Sequence, residues 1–284
     1  MGFRTWLTGR IAAFMDEPVA IYQLRGHNDF DQLKRVIRTG DVLLVEGDQR
    51  VSAVIKYLTQ SSWSHAALYI GDELVRRGGR LQAEAEESFG AEAQHVLVEA
   101  LVDGVVASPV SKYQNFNVRL CRPHSLRSED LQKILDDAVE SIGWRYDLRN
   151  VIDLAIYLLR VSLRPRVHQE KALGSGTPSQ VICTSLLGRL FHDVKFPVLP
   201  SVEFPDSDQA NTTRRFWPFR RRHNDALFDA VFHRRHPTLL TPRDFDLSPY
   251  FDIVKFNIIE HGSFDYQRIA WADDPSAETS VESS

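Results

Sequence analysis

A short stretch, Ser64-His65-Ala-Ala-Leu-Tyr-Ile-Gly71-Asp72, sets the architecture of this chain. Its apolar middle predicts a strand over residues 65–70, and Gly71-Asp72 is a turn signal that ends it. A histidine is therefore the first residue of a strand. Far later, Ser179-Gln-Val-Ile-Cys183-Thr-Ser-Leu-Leu187 predicts the first turns of an apolar helix that runs from about residue 179 to 192.

The second stretch places a cysteine where its thiol is activated. At a helix N-terminus, backbone N–H groups and the helix dipole favour the thiolate of Cys183. A nearby imidazole such as that of His65 accepts the thiol proton and later returns it to a leaving group. The two stretches together predict a nucleophile and its base, with the histidine first in the chain.

The overall composition and net charge argue against several classes of function and partner. The chain has 284 residues, 43% of them hydrophobic, which is enough for one large core. A net charge of -4 gives no reason to expect a nucleic acid as the main partner. Two cysteines make a disulfide framework implausible and favour a reducing compartment. The first fifteen residues lack the features of a secretory signal, and no stretch reaches the roughly 20 apolar residues of a membrane span, so we expect a cytoplasmic location.

The patterning predicts three regions. Residues 1–26 form a lead-in segment with an amphipathic helix, residues 27–259 a catalytic domain with an extension from about residue 197, and residues 260–284 a polar, disordered tail. The predicted strands lie at 41–46, 65–70, 95–101, 105–107, 117–123 and 250–256. The predicted helices lie at 29–39, 51–58, 128–142, from 151, and at 225–234. The charged stretch 73–94 is interpreted as a hairpin excursion, and residue 241 as the start of a capped helix.

The order of these motifs resembles one protein family. The motifs are Gly40-Asp41-Val-Leu-Leu, Ser64-His65-Ala-Ala-Leu-Tyr-Ile-Gly71, Val98-Glu99-Ala100, Tyr146-Asp147, Ile182-Cys183-Thr184-Ser185 and Leu240-Thr-Pro-Arg-Asp-Phe-Asp-Leu-Ser-Pro-Tyr250. They cover roughly residues 38–256. Together they resemble the permuted branch of the NlpC/p60 papain-like superfamily, specifically its YiiX/YebB-like cysteine hydrolases, in which the histidine strand precedes the cysteine helix.

The resemblance implies a fold and a set of site residues. It implies an α+β, circularly permuted papain-like (NlpC/p60) fold, with an antiparallel sheet packed against helices that include the cysteine helix. It makes Cys183 the nucleophile, His65 the general base and Glu99 the third polar residue. It also makes Tyr146 a residue that lines the active site near the substrate or oxyanion. Papain-like enzymes commonly use Asn or Asp where this chain has Glu99.

Each of these residues also has a plain structural interpretation. Free cysteines are often buried as small hydrophobes, which describes Cys121 in mid-strand and is the alternative for Cys183. A lone histidine is more often a hydrogen-bonding residue than a catalyst. Glu99 interrupts an apolar strand and needs a partner, which is His65 or an arginine. Tyr146 is alternatively a packed aromatic residue with a satisfied hydroxyl.

Cofactors and partners follow from the same residues. The spacing of the other histidines makes no metal site, so we expect neither metal nor cofactor. We expect a small-molecule, peptide or lipid-like substrate and no nucleic acid. The basic and aromatic run Arg214–Arg222 and the N-terminal helix are candidates for peripheral membrane contact, with a surface role or a substrate-capping lid as alternatives for the run.

The predicted function is acyl chemistry at a thioester. The chain is interpreted as a cysteine hydrolase or acyltransferase that acts on an amide or ester bond, with an amide as the first choice. The alternative is a non-catalytic ligand- or membrane-binding domain that retains the papain-like fold.

Overall fold

The computed structural model describes residues 28–48, 50–101, 104–144, 180–203 and 231–256. Several predictions lie outside these residues. They are the lead-in helix at 1–26, Tyr146, the helix from 151, the run Arg214–Arg222 and the tail at 260–284.

Eight strands occur in the described residues, and all but β6 and β7 lie where the sequence pattern placed them. They are β1 (Val42–Glu46), β2 (His65–Gly71), β3 (Val96–Leu101), β4 (Gly104–Pro109), β5 (Asn117–Pro123), β6 (Ser201–Glu203), β7 (Val231–His233) and β8 (Phe251–Val254). Six of them form one antiparallel sheet in the order β4-β3-β2-β1-β5-β8, and β6 pairs with β7 separately. The strand that begins with His65 therefore lies inside the sheet, between β3 and β1.

The helices pack on this sheet. They are α1 (Phe30–Val36), α2 (Arg50–Thr59), α3 (Glu73–Arg77), α4 (Gly79–Phe89), α5 (Ser128–Glu140), α6 (Gln180–Asp193) and α7 (Pro242–Leu247), with a 3-10 turn at Val110–Tyr113. Asp29 caps the N-terminus of α1, and its carboxylate accepts a hydrogen bond from the Gln32 backbone amide at 2.8 Å. α7 begins with a capping box between Thr241 and Asp244, as the sequence predicted.

Both faces of the sheet are buried, which explains why β1 is a continuous apolar run. On one face, Leu68 and Val98 share a core with Leu187 and Phe191 of α6 and with residues of α5. We call this the α6 face. On the other, which we call the α1 face, Leu97 packs with residues of α1 and of the 3-10 turn. Because successive strand side chains alternate between faces, the sheet divides its residues cleanly between the two.

The charged stretch 73–94 differs from the prediction. It is helical, as α3 and α4 followed by a 3-10 turn, rather than a hairpin excursion. The physical reason is composition, because residues 79–89 are rich in Ala, Glu, Gln, Leu and Arg and contain no β-branched residue. The correction leaves the sheet unchanged, since β2 and β3 still pair directly.

The predicted helix at 225–234 is wrong for its last residues. Val231–His233 is strand β7, paired with Ser201–Glu203. Val and Phe favour an extended backbone when a partner strand is present, and that partner lies some thirty positions earlier, where a local pattern cannot reveal it. In the part of the chain that the structure describes, no helix is long and apolar enough to cross a bilayer.

Candidate active site

His65 and Glu99 are in direct contact. Nε2 of His65 lies 2.7 Å from Oε2 of Glu99, and their side chains are 16% and 0% exposed. The register pairs Leu68 with Val98 and Tyr69 with Leu97, so its continuation sets Glu99 opposite Ala67. His65 is then the diagonal neighbour of Glu99 on the same face. The small side chain of Ala67 leaves room for the imidazole to reach the carboxylate.

Two further residues bind the same carboxylate, and the sequence alone did not reveal them. Nζ of Lys112 lies 2.5 Å from Oε1 of Glu99. The Tyr113 hydroxyl donates a hydrogen bond to Oε2, the oxygen that also contacts His65. Both residues belong to the 3-10 turn that follows β4, the hairpin partner of the Glu99 strand. The available signal was Pro109, because a proline at a strand end commonly precedes a change of chain direction, which here is the 3-10 turn that carries both residues.

The carboxylate of Glu99 is held in its ionised form. Burial alone would raise its pKa, but the hydrogen bond and the charge interaction with His65, together with the Lys112 ammonium, hold the pKa well below its usual range. The predicted alternative partner was an arginine, whereas the cation found here is a lysine. Glu99 therefore has both a basic counter-ion and the predicted imidazole partner.

The contact with Glu99 also orients the imidazole. Nε2 is directed at the carboxylate, so Nδ1 is the ring nitrogen on the other side of the imidazole. The Tyr113 ring lies beside it, with ring centroids 6.0 Å apart and planes inclined by 40°. His65 is thus fixed on one side by charge and on another by an aromatic ring.

Cys183 lies in the first turn of α6, as its fourth residue. The helix itself was predicted correctly, and it packs against β2 and β3, the two strands that carry His65 and Glu99. The side chain of Cys183 lies outside the described residues, so the structure gives no distance between its sulfur and His65. Tyr146 lies outside them as a whole.

The alternation of side chains along the strands limits how α6 can approach His65. His65 and Glu99 share the α1 face with Ala67 and Leu97, whereas α6 packs on the opposite face. His65 is the first residue of β2, so its side chain stands at the end of the strand rather than over the middle of the sheet. Any group at the N-terminus of α6 would have to reach His65 around that end and not through the sheet.

The contacts of α6 indicate which end of the helix is near the start of β2. The Thr184 hydroxyl donates to the carbonyl of Leu240, immediately before α7. From α7, Asp246 accepts a hydrogen bond at 3.0 Å from Nε1 of Trp63, two residues before His65. The first half of α6 is therefore linked through α7 to the entrance of β2.

The other end of α6 lies elsewhere. The rings of Phe191 and Phe251 meet edge to face at 5.3 Å, and Phe251 pairs with Pro123 at the far end of β5. A cavity of about 320 Å³ is lined there by His192, Tyr250 and neighbouring residues. Neither His65 nor Glu99 is among its lining residues.

Cys121 and His95 take structural positions. Cys121 is fully buried, and burial raises its pKa to about 12, which agrees with the prediction that it is inert. Nδ1 of His95 lies 2.8 Å from the Tyr69 hydroxyl, so His95 belongs to a separate pair. Among the described residues, no group of His, Cys, Asp and Glu side chains could hold a metal ion.

Comparison with known proteins finds similarity to one family over part of the chain. Residues 36–157 match the model of the family described as "Permuted papain-like amidase enzyme, YaeF/YiiX, C92 family", a segment that includes His65 and Glu99 and ends before Cys183. A solved structure titled as the metalloprotein yiiX from Escherichia coli O157:H7 is 15% identical, with coverage of 77% of this chain and 96% of that chain and a TM-score of 0.41. None of the curated proteins matches the sequence. Over residues 36–157 the chain therefore resembles the permuted papain-like amidase family, as the motifs predicted, and its antiparallel sheet with helices agrees with an α+β fold.

Proposed function

We propose that this protein is a cysteine amidase that cleaves its substrate through a thioester on Cys183. His65 acts as general base and acid, and Glu99 holds it. The observation that carries the proposal is the 2.7 Å contact between His65 and a buried, ionised Glu99 at the start of β2, inside the segment that matches the family. A histidine held in this way is a typical partner for a cysteine nucleophile.

The reaction proceeds in two halves. The Cys183 thiolate attacks the acyl carbon of the amide, and the oxyanion collapses to expel the amine, which takes a proton from His65. A water molecule then gives a proton to His65 and attacks the thioester. The acid product leaves, and the thiolate and the imidazolium are restored. The Cys183 backbone N–H would stabilise the oxyanion, an effect worth about 10²–10³ in rate per donor.

The link between α6 and β2 supports this assembly. Thr184 is tied to Leu240, and α7 is tied to Trp63 beside His65. A nucleophile one residue before Thr184, in the first turn of the helix, would approach His65 from the open end of its strand. Nδ1 is the ring atom that would receive the thiol proton, because Nε2 contacts Glu99.

The substrate class remains part of the proposal. We propose an amide with a peptide-like or lipid-like acyl group, and water as the acyl acceptor. An ester substrate or transfer to a second acceptor would use the same thioester. The acyl group trapped on the enzyme distinguishes these cases, because its mass identifies the group and its rate of loss with and without added amines or alcohols identifies the acceptor.

The test is intact-protein mass spectrometry after brief incubation with a panel of short peptide amides and fatty acyl amides. We expect a mass increase equal to one acyl group, located on Cys183 by digestion. Cys183→Ala should abolish the adduct, and Cys121→Ala, which removes the buried cysteine, should retain it. Equal labelling of Cys183→Ala and the wild type would overturn the proposal.

A second candidate is a non-catalytic ligand-binding domain on the same fold. One observation favours it, namely that α6 packs on the sheet face opposite to His65. A binding domain has no need of an activated thiol, so its Cys183 would alkylate with a pKa near the ordinary ~8.5. An amidase would show a clearly lower value.

A further inference from the structure

Glu99 has more positive partners than a histidine-orienting carboxylate requires. Its side chain is fully buried, yet Lys112 lies 2.5 Å from one oxygen and His65 lies 2.7 Å from the other. Lys112 is itself 36% exposed, so its ammonium remains hydrated while it contacts the buried acid. The Glu99 carboxylate therefore contacts a lysine ammonium at one oxygen and a titratable imidazole at the other.

This arrangement matters because a buried carboxylate needs a countercharge. If His65 were the only cation at Glu99, loss of its proton would leave a buried anion without compensation. The imidazolium would then be strongly favoured, and His65 would give up its proton only at high pH. With Lys112 present, Glu99 stays compensated whether or not His65 carries a proton.

We propose that Lys112 is the permanent counter-ion of Glu99, which allows His65 to lose and regain its proton while Glu99 remains ionised. Lys112 is in this sense a positioning residue that acts through Glu99. For the reaction cycle the inference rests on the proposed function, because only a catalytic histidine must change its protonation state in each turnover. The charge relationship itself can be measured on the resting protein.

The groups that face His65 come from three elements. β3 contributes Glu99, the 3-10 turn contributes Lys112 and Tyr113, and the proposed site adds the thiol of Cys183 from α6. Tyr113 is neutral and donates to the same carboxylate oxygen, and the Lys112 ammonium lies 5.2 Å from its ring centroid. Lys112 is the ammonium of this set, and lysine side chains in general titrate far above neutral pH.

The experiment is an NMR titration of His65 in the full chain with Cys183→Ala, so that the thiol does not contribute. Lys112→Met removes the ammonium and keeps the aliphatic stem. We expect the deprotonation midpoint of His65 to rise by about one pH unit or more, because the imidazolium becomes the only countercharge of Glu99.

The matched control is Lys56→Met. Lys56 lies 3.4 Å from Glu46, another buried glutamate, which alternates onto the α6 face with Val42 and Leu44. This variant removes the same charge from a similar pair, and the His65 midpoint should move by less than a third of the shift seen with Lys112→Met. An unchanged midpoint in Lys112→Met, or an equal shift in both variants, overturns the inference.

A second pair of variants covers loss of folding. If Lys112→Met does not fold, as judged by circular dichroism, Lys112→Gln tests the same loss of charge with a polar side chain. Lys112→Arg retains the charge and should retain the wild-type midpoint. If His65 shifts as expected but no acyl adduct forms on Cys183, the counter-ion role stands and the amidase proposal fails. If the adduct forms but the midpoint does not move, the reverse holds.

Discussion

Glu99 binds His65 from the neighbouring strand, diagonally across Ala67, and its carboxylate is fully buried. The antiparallel register of β2 and β3 positions both residues. It therefore depends on strand pairing rather than on loop conformation, and this rigidity suits a group that must hold an imidazole in one orientation.

Glu99→Gln should lower kcat/KM by about 10²- to 10⁴-fold with little loss of folding, because an amide keeps the shape but removes the charge that stabilises the imidazolium. The measurement is steady-state hydrolysis of the best substrate from the acyl-adduct panel. Glu73→Gln is the control, since Glu73 is also buried but pairs with Arg76 and Arg77 on α3. Similar losses in the two variants would contradict a specific role for Glu99.

The two cysteines should differ sharply towards iodoacetamide. We expect Cys183 in the native protein to react with an apparent pKa below the ordinary ~8.5, because of the helix terminus and His65. Cys121 should react only in denaturant, since burial raises its pKa to about 12. The measurement is the alkylation rate against pH, read by mass spectrometry. Rapid labelling of Cys121 in the native protein would contradict the described core, and a Cys183 pKa near ~8.5 would favour the binding-domain alternative.

Much of this fold follows from local pattern, and the exceptions have identifiable causes. The strand that begins at His65 and the helix that carries Cys183 were predictable because apolar runs with clear ends are strong signals. The contact of Glu99 with His65 was expected from the family resemblance. Lys112 and Tyr113 were not found, because their role arises only when the turn after β4 folds back over β3, and no residue spacing encodes that.

The sequence also did not predict which face of the sheet each site residue would share with the cysteine helix. Alternation along β2 shows that His65 and Ala67 share a face, but the sequence does not reveal on which face a helix more than a hundred residues later will pack. The face on which this helix packs is determined by long-range contacts throughout the core, including the one between Phe191 and Phe251. The sequence could therefore nominate Cys183 and His65 as candidates, whereas the sheet face on which the cysteine helix packs required the structure.

Tyr113→Phe should lower kcat by about tenfold while KM changes little, because it frees the carboxylate oxygen that holds His65. It should also destabilise the protein by about 1–3 kcal/mol, the usual cost of losing a hydrogen bond to a buried charged group. Tyr69→Phe is the matched control, because it removes a hydroxyl on the same sheet face that contacts His95 instead. A drop in stability is expected in both variants. A drop in kcat in both would show that the effect is not specific to Glu99.

Glu99 should make the fold sensitive to acid. Its pKa in the folded protein lies well below the ordinary value of 4.5, since the contacts with His65 and Lys112 outweigh burial. A carboxyl whose pKa is depressed on folding contributes stability that is present above its unfolded pKa and is lost as the pH falls below that value.

The unfolding free energy of the wild type should therefore decrease below about pH 4.5 more steeply than that of Glu99→Gln. The difference in slope should reach up to about 1.4 kcal/mol per pH unit, because the variant has no proton to take up at this position. Urea unfolding at pH 7, 5, 4 and 3.5 measures the difference, and unfolded-state histidines are already protonated throughout the lower part of this range. Parallel curves for the two proteins would mean that Glu99 takes up its proton equally readily in the folded and unfolded states, and the ion pairs at its carboxylate would then contribute nothing to the fold.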